Sequence, residues 1–229
     1  MDKTSDQESR IVDSWHGNAR PWTKAIAGKQ IASREETTNQ AILDTVMQCR
    51  PRSLIDIGCG EGWLCRALEQ RGVRCLGVDA IPELLEVAKQ GAGEFRQCHY
   101  NDLINAGFDQ AFDCAVSNFA LLGQHSTEAV FEAMPTLLTR NGRFILQTLH
   151  PETACGDLPY EDGWREGSWS GFSPEFTKPA PWYFRTLPSW EALFPRFGLE
   201  LLERIEPRNP HNGDKQSLIL VGRPEVKAR

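Results

Sequence analysis

Apolar residues along this chain alternate between short continuous runs and helically spaced stretches, the rhythm of a sheet whose strands are joined by helices. Ile42, Leu43, Val46 and Met47 mark a helix ending before Pro51, and Leu54 to Ile57 then form a first buried strand. Three glycines follow, at 58, 60 and 62, and Trp63, Leu64, Ala67 and Leu68 recur at helical spacing as far as Gly72. Val73 to Val78 is a second apolar run, closed by Asp79. Pro82 suits the first turn of a helix that buries Leu84, Leu85 and Ala88 and stops at Gly91. Glu94 to Tyr100 reads as a third strand and Phe112 to Ser117 as a fourth, covered on both faces. A helix over Ser126 to Thr139, kinked or shortened by Pro135, precedes an Asn141-Gly142 turn into a fifth strand, Arg143 to Leu149. Leu199 to Ile205 and Ser217 to Val221 supply two more strands. The pattern predicts a doubly wound, mostly parallel α/β domain.

Two stretches stand outside this alternation. The first, within residues 1–36, carries Trp15, His16, Arg20, Pro21, Trp22 and Arg34; the second, 150–190, carries Trp164, Trp169, Trp182, Tyr183 and Trp190 among prolines and glycines. Such aromatic content does not suit a disordered linker. In an open α/β sheet ligands bind beyond the carboxyl ends of the strands, where both stretches emerge, so the chain divides into an N-terminal helical cap (1–36), a binding core (37–149), an aromatic lid (150–190) and a closing helix with strands (191–229), all within one domain.

The glycine spacing narrows the ligand. Asp79 lies 79 − 60 = 19 residues beyond Gly60, close to the roughly 20-residue separation at which a second strand's acid meets a ribose. A dinucleotide turn, however, needs G-x-G-x-x-G, and the third glycine position is Trp63. The segment reads D-x-G-x-G-x-G from Asp56 through Gly62, with Cys59 inside it. A carboxylate suits two hydroxyl donors, and a cofactor without phosphate needs no strong anion hole.

At these residues the sequence resembles the class I S-adenosylmethionine-dependent methyltransferases of small-molecule type. The resemblance covers roughly Leu54 to Pro151 and continues more loosely to the C-terminus. It implies a Rossmann-like sheet of seven strands with the last antiparallel. In that family the glycine turn wraps the methionine and ribose of the cofactor, which assigns Asp56, Gly58, Cys59, Gly60 and Gly62 here. The acid after the second strand chelates the ribose hydroxyls, which assigns Asp79. Ala80 and Ile81 then pack the adenine, Asp102 with Leu103 beside it accepts from the adenine amino group, and Asn118 and Phe119 face the methyl. The chain has Asn118-Phe119-Ala120 where some enzymes that methylate nucleobase amino groups have N-P-P and an aromatic, a departure that argues against that activity.

The implied activity is methyl transfer from S-adenosylmethionine to a small molecule. A nicotinamide-dependent oxidoreductase and a non-catalytic S-adenosylmethionine-binding regulator are the alternatives. His150, directly after the fifth strand, is the best-placed histidine for a general base, and Arg34 and Arg20 are candidates to meet the cofactor carboxylate with forked donors. No metal-ligand spacing occurs. A net charge of −6 and a pI near 5.5 disfavour a nucleic-acid partner. No run of about 18 apolar residues spans a membrane. The polar start and seven cysteines without a C-x-x-C pair fit a reducing, cytoplasmic location.

Overall fold

The computed structural model describes residues 3–225; the extreme ends of the first and last segments, 1–2 and 226–229, lie outside the described residues. In chain order the elements are α1 (Lys3–Ala27), a π-helical turn (Arg34–Thr38), α2 (Asn39–Gln48), β1 (Ser53–Ile57), α3 (Trp63–Glu69), β2 (Arg74–Asp79), α4 (Pro82–Ala88), β3 (Glu94–Gln97), a 3₁₀ turn (Tyr100–Asn105), β4 (Phe112–Asn118), α5 (His125–Leu137), β5 (Leu138–Leu149), α6 (Pro151–Ala154), β6 (Gly163–Arg165), β7 (Trp182–Phe184), α7 (Leu187–Arg196), β8 (Leu199–Ile205) and β9 (Ser217–Pro224). Seven strands form one sheet in the order β3-β2-β1-β4-β5-β9-β8. All pairings among β1 to β5 are parallel, and β9 runs antiparallel to both its neighbours, β5 and β8. This is the Rossmann-like seven-stranded arrangement with an antiparallel last strand.

The continuous apolar runs are explained by helices on both sheet faces. Every residue of β1 is buried, and side chains alternate between two cores as a period of two requires. Ile55, Ile57, Ala115, Phe144 and Leu146 belong to one, in which Phe131 meets Phe144 and Phe194 edge to face with centroids 5.1 Å apart. Leu54, Cys114, Val116 and Ile145 belong to the other, against α2 and α3. Among the described residues no helix is long and apolar enough to cross a membrane.

Two expectations are corrected. Asn141-Gly142 is not a turn. Pro135 sits in the last turn of α5, the helix ends at Leu137, and β5 starts at once, so Asn141 and Gly142 lie within a twelve-residue strand. The extra residues bulge: Phe112 faces Leu138, but Cys114 already faces Arg143, whose guanidinium donates to the Asn141 and Gly142 carbonyls. β3 is also shorter, ending at Gln97. Tyr100 and Leu103 then turn toward the core at the spacing of three that a 3₁₀ turn aligns.

The two outlying stretches lie together over the carboxyl edge of the sheet. Ala19 of α1 packs on Ile81 and Leu84 beyond β2, while the Glu8 carboxylate accepts from the amides of His125 (2.7 Å) and Ser126 (3.1 Å) at the start of α5. α1 therefore crosses above β1, β2 and β4. Asn18 in turn pairs both ways with the Thr177 backbone, Ser14 donates to the Lys178 carbonyl, and Trp15 meets Trp169 edge to face at 6.0 Å. Within the second stretch β6 and β7 form their own antiparallel ladder.

Candidate active site

The turn after β1 is held to β2 by two backbone bonds, from Gly58 and Cys59 to the Val78 carbonyl at 2.8 and 3.0 Å. Its three glycines all take positive φ, a conformation that disfavours any side chain. Their surroundings differ. A Cβ on Gly58 would strike Ala120 and Tyr100, and one on Gly62 would lie 2.8 Å from the Phe95 ring, so these two permit close packing. A Cβ on Gly60 would meet only Trp22 Nε1, at 3.9 Å. That open space belongs to a cavity of about 650 Å³ bounded by the turn, Asp79, the end of β4 and α1.

Asp79 stands on this cavity with both carboxylate oxygens engaged. Oδ2 accepts from the Gly60 amide at 2.9 Å and Oδ1 from the Ile81 amide at 2.9 Å. Burial raises its pKa, and the backbone donors oppose that rise. Gly58, Gly60, Ala80, Ile81, Asn118 and Phe119 share the cavity wall. Phe119 holds φ at +56° while its amide donates to the Gln147 carbonyl at 2.8 Å. This left-handed conformation costs a non-glycine residue roughly 1–2 kcal/mol and presents the ring to the pocket.

Arg34 is the most unusual polar group at the site. It is only 8% exposed, lies over the rings of Trp22 and Trp63 at 5.7 and 4.9 Å, and its Nη2 is buried without a hydrogen-bond partner. Desolvation pulls its pKa down, against the attraction of Glu61, Glu35 and Asp56. The Asn118 side-chain oxygen is likewise buried and unpartnered. Both residues belong to the wall of the larger cavity, and a buried polar group left unpaired costs about 1–3 kcal/mol.

Other expected site residues lie elsewhere. Asp56 and Cys59 are buried beneath the turn and do not line the cavity; Asp56 accepts from the Cys65 thiol, and burial pushes its pKa up to about 7. Gly62 likewise packs beneath, serving as the N-cap of α3. Leu103 is fully buried in the core, and Asp102 faces solvent on the 3₁₀ turn, where His99, Tyr100 and Asn101 line the cavity instead. Arg20 is exposed on the outer side of α1. His150 is 1% exposed, its Nε2 pairs with Glu206 at 3.1 Å, and its Nδ1 accepts from the Glu152 amide as the N-cap of α6. It borders neither cavity, and both ring nitrogens are engaged.

A second cavity, of about 300 Å³, adjoins the first; Trp15, Trp22, Arg34, Phe119 and Leu122 line both. Its outer wall is the aromatic stretch, with Trp169, Phe172, Trp182 and Tyr183 facing Trp190 of α7. A polar depression of about 560 Å³ at the opposite edge of the sheet, around Arg50, Arg52 and Asp113, is remote from the glycine turn. Among the described residues no group of three or more His, Cys, Asp or Glu side chains is arranged to hold a metal ion. Tyr100, Asn101, Ala120, Leu122 and Glu8 carry no signal of this site in the sequence, whereas Trp15, Trp22, Trp169, Trp182, Tyr183 and Trp190 do, as aromatic residues outside the core pattern.

The chain belongs to a methyltransferase-domain family, whose model matches residues 31–204. It is 25% identical over 121 residues to an uncharacterized methyltransferase of Alkaliphilus oremlandii, covering 51% of this chain and 55% of that one. It is also 23% identical over 159 residues to a ubiquinone biosynthesis O-methyltransferase of Xanthomonas euvesicatoria, covering 67% and 66%. The chain thus spans little more than half the length of the first of these relatives. Among solved structures, a 1,6-didemethyltoxoflavin-N1-methyltransferase of Burkholderia thailandensis, with 1,6-didemethyltoxoflavin and S-adenosylhomocysteine bound, superposes with a TM-score of 0.68 at 16% identity, covering 99% of this chain and 92% of that one. An S-adenosylmethionine-dependent methyltransferase of Listeria monocytogenes gives 0.61 at 19% identity over 76% and 92%. These likenesses establish the fold.

Proposed function

We propose that the protein transfers a methyl group from S-adenosylmethionine to a small-molecule acceptor, leaving S-adenosylhomocysteine. The observation that carries this reading is the joined pair Gly60 and Asp79 on the larger cavity: an acid held by backbone donors, above a glycine with open space. In this role the Asp79 carboxylate accepts from both ribose hydroxyls and the backbone of Gly58 and Gly60 lies against the ribose and methionine. Ala80 and Ile81 flank the adenine. The free Nη2 of Arg34 donates to the amino-acid carboxylate, and Asn118 and Phe119 border the methyl. When bound, S-adenosylmethionine supplies an activated methyl, its carbon–sulfur electron pair returning to sulfur as the acceptor's lone pair forms the new bond.

The chain's own contribution is placement and dryness. Trp15, Trp22 and Phe119 separate the two cavities with apolar surface that excludes water and fixes the approach, and alignment can supply about 7–11 kcal/mol of a barrier. The N-terminal helical cap, as described from residue 3, and the lid at 150–190 close the site from the two sides. Native mass spectrometry of the purified protein tests the reading: a co-purified mass of S-adenosylmethionine or its product is expected, and a nicotinamide dinucleotide in its place would overturn it.

A further inference from the structure

The smaller cavity is rich in aromatic side chains and unusual in its ionisable groups. Trp15, Trp22, Trp169, Trp182 and Trp190 contribute to its wall, together with Tyr183. Among the described residues that line it there is no carboxylate, imidazole, thiol or amine; the only charged groups are the guanidiniums of Arg34 and Arg185. Arg185 is 3% exposed, donates to the Gly123 and Gln124 carbonyls at 3.0 and 2.9 Å, and lies over Tyr183 and Trp190 at 4.7 and 5.0 Å. Burial raises the Tyr183 phenol, so it stays protonated near neutral pH. The five residues shared with the larger cavity include no group able to take a proton, and the carboxylates and imidazoles of that larger cavity, Glu8, Asp13, Asp79, His99 and His125, are absent from the smaller cavity's wall. His150 points elsewhere, with both nitrogens engaged.

Resting on the methyl-transfer reading above, we infer that the acceptor is a flat aromatic or heteroaromatic molecule of one or two fused rings, neutral or anionic, whose reacting atom already carries a free lone pair. Each part follows from the wall. Ring faces and edges at this density favour a planar guest through offset and edge-to-face contacts. About 300 Å³ lies at the lower end of small-molecule sites and limits its size. Two buried guanidiniums without a carboxylate among them repel an ammonium and tolerate an anion. With no general base at the junction, a protonated aliphatic amine or an alkyl alcohol has no route to its nucleophilic form there, whereas a ring nitrogen, a thiolate or an acidic phenolate needs none.

The test measures binding to the full chain saturated with S-adenosylhomocysteine, by calorimetry, for quinoline, 2-naphthoate and cyclohexylammonium. We expect at least one flat probe to bind about tenfold more tightly than the ammonium. Trp182→Ala should weaken that probe about tenfold while S-adenosylhomocysteine affinity holds, and Trp182→Phe, which keeps a ring there, should restore most of it. Equal or tighter binding of the ammonium, no measurable binding of either flat probe at about 1 mM, or indifference to Trp182→Ala in a normally melting protein would overturn the inference. The same comparison is made on the ligand-free chain. Failure of S-adenosylhomocysteine to bind would then count against the cofactor reading alone, and the probe preference would still be read.

Discussion

The Gly60 amide donates to the Asp79 carboxylate across 2.9 Å, tying the turn after β1 to the end of β2. Asp79 also accepts from Ile81, so it organises the cavity floor as well as facing its contents. Asp79→Ala should therefore weaken S-adenosylhomocysteine binding by about 1.5–3 kcal/mol for each charged hydrogen bond lost and lower folding stability by about 1–3 kcal/mol, because two buried amides lose their acceptor. Titration calorimetry and melting of the variant check both. A stable variant that binds as tightly as the wild type would remove Asp79 from the ribose.

Arg34 separates binding from stability. A buried guanidinium whose Nη2 lacks a partner is held at a desolvation cost that the two tryptophan rings only partly offset. Arg34→Met should leave the melting temperature unchanged or raised while cofactor affinity drops by about 1.5–3 kcal/mol. A large loss of stability with normal affinity would make Arg34 a purely structural residue.

Asp56 gives a signed dependence on pH. Its native pKa is pushed from 3.8 up to about 7 by burial, so the folded chain holds the proton more tightly than the unfolded one. The resulting stability is complete below about pH 4 and is lost as pH rises toward about 7, at about 1.4 kcal/mol per pH unit. Asp56→Asn should remove this slope. Denaturation of both proteins between about pH 4 and 8 checks it; parallel curves would show Asp56 charged in the native state.

His150 acts as a cap. Asparagine caps helices well but cannot serve as a base at neutral pH, so His150→Asn should keep transfer rates within about threefold of wild type, and His150→Ala should lose about 1 kcal/mol of stability. Initial rates of labelled-methyl transfer decide between roles. A fall of about 10²–10⁴-fold in His150→Asn would restore the general base.

What was legible in the sequence was local. The run Leu54–Ile57, the glycines and Asp79 lie within one βαβ unit, so periodicity and spacing gave strand, turn, helix and the acid's position together. The core strands were likewise readable, since burial on both faces writes itself as continuous apolar runs. Residues fixed by distant partners were not. His150 follows a strand toward the right edge, yet Glu206 and the Glu152 amide turn it away. Asp102 sits beside Leu103, and the 3₁₀ turn that buries the leucine leaves the acid outside. Asn141-Gly142 has turn chemistry, but pairing with β4 and β9 holds the strand through a bulge instead. The crossing of α1 depends on Glu8 meeting a helix start over a hundred residues away, and no local pattern encodes that.

The most direct test of the central claim is calorimetric titration of the purified chain with S-adenosylhomocysteine, and in parallel with NAD and NADP. The account predicts one saturable site for S-adenosylhomocysteine, weakened in Asp79→Ala and in Arg34→Met, with thermal stabilisation of about 2.7 kcal/mol at a hundredfold excess over Kd, and no binding of either dinucleotide. Saturable binding of a dinucleotide, with S-adenosylhomocysteine leaving both the heat signal and the melting temperature unchanged, would contradict it.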